Sequence, residues 1–116
     1  MIVNVSGMMS ERPYGVGSAY IAARGGLESL TRELAVTYGR SGIRVVSVCP
    51  GYIETALSND DEGSDGENIS TKLMNEVTSF IPLKKGGGPG KVAEDMCWLS
   101  SGSASYITGT SLIIDG

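Results

Sequence analysis

The sequence predicts an α/β fold, a parallel sheet of about three strands with flanking helices. Short β-branched runs occur at Met1–Ser6, Ile43–Cys49 and Leu112–Ile114, and segments of helical periodicity separate them. The resulting order, β-α-β-α-α-β, puts helices into the crossovers of a parallel sheet. The first two runs alternate little between apolar and polar, as strands covered on both faces do.

Each element has its own signal. Met1–Ser6 is rich in Ile and Val and reads as a strand buried on both faces. Residues 7–17 carry Gly, Pro and Ser and read as a loop. From Ser18 a helical pattern begins, with Ala23, Leu27, Leu30 and Leu34 spaced for one buried stripe, and Gly39 and Gly42 bracket its end. Gly25 and Gly26 inside that helix each cost ~1 kcal/mol relative to alanine, so the pair points to close packing. Ile43–Cys49 is a β-branched strand that Pro50-Gly51 stops. Asn68–Phe80 has Ile69, Leu73, Met74 and Val77 at helical spacing, and reads as a short helix over the cleft. Lys84–Gly90 is a glycine-rich turn. Lys91–Ser101 is an amphipathic helix through Val92, Met96 and Leu99, with Trp98 expected in the core. Leu112–Ile114 is the last strand. No internal repeat or second domain is visible, so residues 1–116 read as one partial domain.

Composition narrows the function. A formal charge of −4 without a histidine or a basic cluster argues against nucleic acid. No apolar run approaches the ~20 residues of a bilayer span. No signal peptide is visible at the N-terminus, so the expectation is a soluble, cytoplasmic chain. Cys49 and Cys97 are expected as buried, reduced thiols. Two cysteines without histidine cannot complete a tetrahedral zinc site, and no metal is expected. Ser58–Glu67 gathers five acidic residues and reads as a solvated loop. A calcium loop fails there because Gly63 and Lys72 occupy the third and twelfth positions, where ligands are needed. The 84–90 turn lacks the Lys-Ser/Thr pair of a phosphate-binding loop.

The chemistry centres on Tyr20-Ile-Ala-Ala-Arg24, which puts a phenol and a cation on one helix face, one turn apart. A phenol tuned by a neighbouring cation can pass a proton to or from a substrate oxygen. Around it stand Met1-Ile-Val-Asn-Val-Ser6, Ile43-Arg-Val-Val-Ser-Val-Cys-Pro-Gly51, Ile53-Glu-Thr55 and Tyr106-Ile-Thr-Gly-Thr-Ser-Leu-Ile-Ile-Asp-Gly116. In this order the motifs resemble the C-terminal half of a short-chain dehydrogenase/reductase, near its 3-oxoacyl-reductase-like members, over the whole of Met1–Gly116.

The resemblance implies a partial Rossmann-like sheet that lacks the N-terminal nucleotide-binding half, and NAD or NADP as cofactor. It implies hydride transfer on a small carbonyl or alcohol substrate, with Tyr20 as proton donor. Arg24 stands where the family has lysine. Arginine keeps the charge but presents a wide planar fork and cannot release a proton. The family's substrate-orienting serine lies thirteen residues before the tyrosine, and here that position is Gly7. Ser6 and Ser10 are the nearby hydroxyls that might substitute, although Ser6 should point to the opposite side of the strand. Pro50, Gly51, Ile53 and Thr55 would line the nicotinamide pocket together with Tyr20 and Arg24. The resemblance further implies a homo-oligomer in the full-length form, in which the Tyr20 helix packs against its copy, and a mobile substrate lid at 68–80. Gly7, Arg24 and the absent Gly-rich nucleotide turn imply impaired activity in this chain. The alternative is a non-catalytic binding or oligomerisation module.

Overall fold

The computed structural model describes residues 1–13, 15, 17–55 and 69–116, the side chains of 69–74 excepted. The acidic stretch at 58–67, and the side chains of Ile69, Leu73 and Met74, therefore lie outside the described residues. Three strands, β1 (Ile2–Val5), β2 (Val45–Pro50) and β3 (Ser111–Ile114), form a parallel sheet in the order β1-β2-β3. Helix α1 (Ser18–Gly39) links β1 to β2, and α2 (Ile69–Phe80) and α3 (Pro89–Ser100) precede β3. This is the expected α/β arrangement with the expected parallel pairing. The third helix starts two residues earlier than predicted, because Pro89 suits the first helical turn, where its missing N–H is no loss.

Register divides the sheet into two faces. Asn4, Ser47 and Ser111 lie in one row, and Val5, Val48 and Leu112 in the next. Successive residues of a strand point to opposite faces, so one face is polar and the other apolar. The apolar face meets α3: Val46, Val48 and Leu99 are fully buried, and Val3, Met96, Ile107, Leu112 and Ile114 pack around them. Arg44 fastens this helix, donating to the carbonyls of Leu99 (2.8 Å), Ser101 (3.2 Å) and Ile107 (3.2 Å).

The polar face meets α1, and here the expected stripe is not the buried one. Glu28, Thr31 and Ala35 are buried, whereas Ala23 is exposed, Leu30 is 47% exposed, and Leu27 and Leu34 are half-buried. At 100° per residue the buried row lies roughly a quarter turn from the leucine row. The sheet explains the rotation. Asn4 donates to Thr31 Oγ1 (2.9 Å), so the row beneath the helix asks for hydrogen-bonding residues and not for leucines. No atom lies within 4 Å of a Cβ added at Gly25 or Gly26, so their close packing is not made within this chain.

Three further expectations are corrected. β1 is not buried on both faces: it sits at the sheet edge, with Ile2 38% and Val5 44% exposed, and only β2 is covered throughout. Cys49 is buried as expected, but Cys97 is exposed. Trp98 is 46% exposed and does not enter the core. Both residues lie off the Val92–Met96–Leu99 stripe that α3 turns toward the sheet. Among the described residues, no helix is long and apolar enough to cross a membrane, and no group of side chains could hold a metal.

Candidate active site

The carboxyl ends of parallel strands are where α/β folds gather ligand-binding groups. Here β1 ends at Ser6-Gly7, β2 at Pro50-Gly51 and β3 at Asp115. The ends approach closely because residue 51 has no side chain. A Cβ there would lie 2.7 Å from the Cβ of Asp115 and 3.1 Å from the sulfur of Met8. Arg12, in the loop after β1, straps across to Asp115 with an ion pair of 2.8 Å.

Tyr20 lies in the first turn of α1 and leans over this junction. Its hydroxyl would stand 3.1 Å from a Cβ built on Gly7, so position 7 faces the phenol oxygen directly and presents no hydroxyl to it. A pocket of about 210 Å³ opens beside them and is lined by Gly7, Tyr20, Pro50 and Gly51, with Met8, Met9, Tyr52 and Val77 completing the wall. Four of the residues singled out or discussed from sequence thus meet in one place, and α2 contributes to it through Val77.

Arg24 takes a different course. Its guanidinium stacks on the Tyr20 ring, 4.9 Å from the centroid, and donates to the backbone oxygen of Val5 at 2.7 Å. The charge therefore lies against the ring face and the end of β1.

Ser6 and Ser10 are not brought to Tyr20. Ser6 is buried and donates to Glu28 Oε1 (3.0 Å) and to the Arg24 carbonyl (3.2 Å). Ser10 donates to the Gly7 carbonyl (2.7 Å) and also reaches Glu28. The alternation along β1 turns Ser6 toward α1, where Glu28 collects it. Cys49 Sγ (3.6 Å) and Ser111 Oγ (3.5 Å) approach the same carboxylate. Burial pushes the Cys49 thiol above its ordinary range, partly offset by its contact with Ser47.

Beyond Gly51 the chain forms a single parallel bridge, Ile53 with Gly87. It is closed by Glu54 N–H to Gly87 O and by Gly87 N–H to Tyr52 O, both 2.9 Å. The backbone N–H and C=O of Ile53 therefore point the other way, and among the described residues they have no partner. Thr55 is exposed just beyond.

Sequence reasoning missed Glu28, which centres the polar layer, and Tyr52, whose buried hydroxyl oxygen has no hydrogen-bond partner. The recurrence of Arg24, Glu28, Thr31 and Ala35 at helical spacing was a signal for the first. Tyr52 gave none beyond its place between Gly51 and Ile53.

A family model described as Enoyl-(Acyl carrier protein) reductase matches residues 1–116. Oxidoreductase UcpA of Salmonella typhimurium is 34% identical over 116 residues, all of this chain and 43% of that protein. The crystal structure of levodione reductase superposes with a TM-score of 0.88 at 38% identity, covering 100% of this chain and 45% of that one. 4-Hydroxyisoleucine dehydrogenase complexed with NADH superposes with a TM-score of 0.84 at 29% identity, covering 99% of this chain and 45% of that one. The chain belongs to the short-chain dehydrogenase/reductase family, and it spans 43% of the length of UcpA.

Proposed function

We propose that this chain supplies the proton-transfer and substrate side of an NAD(P)-dependent oxidoreductase acting on a small carbonyl/alcohol pair. The observation that carries this reading is the Tyr20 hydroxyl, set at the carboxyl ends of the strands beside Pro50-Gly51 and facing position 7. A solved structure with the same fold is a dehydrogenase bound to NADH, which supports a nicotinamide cofactor. The residues present fit that group. Ile53 offers an unpaired donor and acceptor side by side, which suits a primary carboxamide, and Pro50 and Gly51 give a flat approach without a side chain at 51. Thr55 would close the same wall. A nicotinamide bound there supplies or accepts the hydride.

The chain's own residues handle the oxygen. Tyr20 Oη donates its proton to a carbonyl oxygen, or accepts one from an alcohol, across a single hydrogen bond. Arg24 holds the ring by stacking, an interaction worth about 0.5–1 kcal/mol at an exposed site. Its donation to Val5 O keeps the guanidinium at the end of β1. Gly7 removes the hydroxyl that would share the substrate oxygen, and Ser6 and Ser10 are committed to Glu28. Activity is therefore low with these residues. A preorganised donor to a reacting oxygen is worth on the order of 10²–10³ in rate.

The test is Gly7→Ser, alone and with Arg24→Lys, assayed by NADH and NADPH oxidation with small ketones in a chain carrying a nucleotide-binding half ahead of Met1. Gly7→Ser should raise kcat/KM by about 10², and adding Tyr20→Phe should abolish the gain. The added Cβ sits 3.1 Å from a ring-borne hydroxyl that can yield a few tenths of an ångström. No gain from either substitution would favour the second reading, a non-catalytic binding or oligomerisation module. One observation specifically supports that reading: Leu30 (47% exposed) and Val36 (79%) stand on α1 uncovered by this chain.

A further inference from the structure

The Tyr20 pocket contains a second phenol that the reaction scheme does not use. Tyr52 follows Pro50-Gly51 directly and lines the pocket opposite Val77 of α2. Its hydroxyl oxygen is sealed from solvent and has no hydrogen-bond partner among the described residues. An orphaned buried hydroxyl is destabilising, because its bonds to water are lost and nothing replaces them. Such a group persists where something other than the resting fold satisfies it. The remaining walls narrow the possibilities. Met8, Met9, Pro50 and Val77 bring no side-chain hydrogen-bond donor of useful strength, and Gly7 and Gly51 bring no side chain. The two tyrosines are the only hydroxyl-bearing residues on the wall.

We propose that Tyr52 is a specificity-determining residue of this pocket, and that the preferred substrate is a small hydroxyketone or its diol rather than a simple ketone. This rests on the reading of the pocket as a carbonyl/alcohol site. Tyr20 takes the oxygen that changes oxidation state, and Tyr52, turning about its side-chain bonds into the pocket that its ring walls, donates to the neighbouring oxygen. That second contact compensates for the anchor missing at Gly7. The pocket, at about 210 Å³, is below the roughly 300–1,000 Å³ of sites for drug-sized ligands, which restricts the substrate to a small molecule.

The experiment is Tyr52→Phe on the 116-residue chain, with two readouts that need no turnover. The first is thermal melting. The second is binding of 2-hydroxycyclohexanone and of cyclohexanone, measured by ligand-observed NMR titration with Tyr20→Phe as control. Removing an orphaned hydroxyl should raise Tm by several degrees, about 4–8 °C being the usual response of a small domain to one such group. The same change should weaken 2-hydroxycyclohexanone about tenfold, the worth of one hydrogen bond, and leave cyclohexanone unchanged. Tyr20→Phe should weaken both ketones. A purely structural tyrosine would instead lower Tm on conversion to phenylalanine, and that result overturns the proposal. So does unchanged hydroxyketone affinity; if cyclohexanone still binds in a Tyr20-dependent way, only the role of Tyr52 is lost. Failure of both ketones to bind overturns the carbonyl reading of the pocket together with it.

Discussion

Tyr20 and Arg24 show how one substitution redirects a charge without removing it. The four-residue spacing is legible in sequence, and so is the shared helix face. What could not be read is where the guanidinium would settle. Its length and planarity let it stack on the ring at 4.9 Å and still reach Val5 O at 2.7 Å. The two cysteines make a second residue-scale contrast. Cys49 is buried and its thiol is raised by desolvation, whereas Cys97 is exposed. A thiolate-selective reagent at neutral pH should therefore modify Cys97 alone in the folded chain, and both thiols in denaturant. Modification of Cys49 at a matching rate would contradict its burial. The pH dependence follows from the same shift. Because the folded thiol holds its proton more tightly than the unfolded one, its contribution to stability is fully present below the ordinary thiol range. It is lost as pH rises from about 8.5 upward. Cys49→Ala should flatten this alkaline loss of Tm relative to the parent, and an identical slope in both would count against it.

At the scale of elements, α1 carries the main lesson. Strand order and helix order were legible because periodicities of two and 3.6 survive any rotation of a helix about its axis. The rotation itself was not legible, since the leucine row is more apolar than the row that is buried. The inward face is set by the partner surface, and the sheet row beneath α1 is Asn4, Ser47 and Ser111. Glu28 is 4% exposed and accepts from Ser6, Ser10, Cys49 and Ser111 without an arginine or lysine bonded to it. Glu28→Ala would strand these donors in a dry layer, at about 1–3 kcal/mol for a buried group left unsatisfied. Glu28→Gln keeps an acceptor oxygen and should retain most of that stability. Denaturant unfolding of the two variants decides the matter, and equal losses would mean that the layer depends on the charge and not on the acceptors. The exposed thiol at Cys97 and the exposed Trp98 belong to the same lesson on α3, where one narrow stripe is buried and its flanks are not.

For the whole molecule, the question is what covers the surfaces this chain leaves open. β1 pairs only with β2 among the described residues. Ile2 and Ser6 direct their N–H groups to Arg44 O and Val48 O, so Val3 and Val5 direct their backbone groups outward. Arg24 covers the Val5 carbonyl, leaving the Val5 N–H and both Val3 groups to the edge. An edge of this kind, with Ile2 and Val5 partly exposed beside it, is a template for another strand. The second open surface is the α1 row with Leu30 and Val36, next to glycines at 25 and 26 whose Cβ positions meet nothing. Both surfaces should make the isolated chain self-associate, and they can be separated by substitution. Val5→Lys puts a charge on the strand edge, and Leu30→Glu puts one on the helix face, each at a site already more than a third exposed. Light scattering across a concentration series should show association for the parent and a lower mass for the variant that blocks the surface in use. If Leu30→Glu alone restores a monomer, α1 packs helix to helix, as the glycine pair favours. If Val5→Lys alone does so, the edge is the sticky element, and a strand supplied from outside the chain should compete with self-association. A parent that is already monodisperse and monomeric, with a sharp cooperative melt, would mean that neither surface needs a partner.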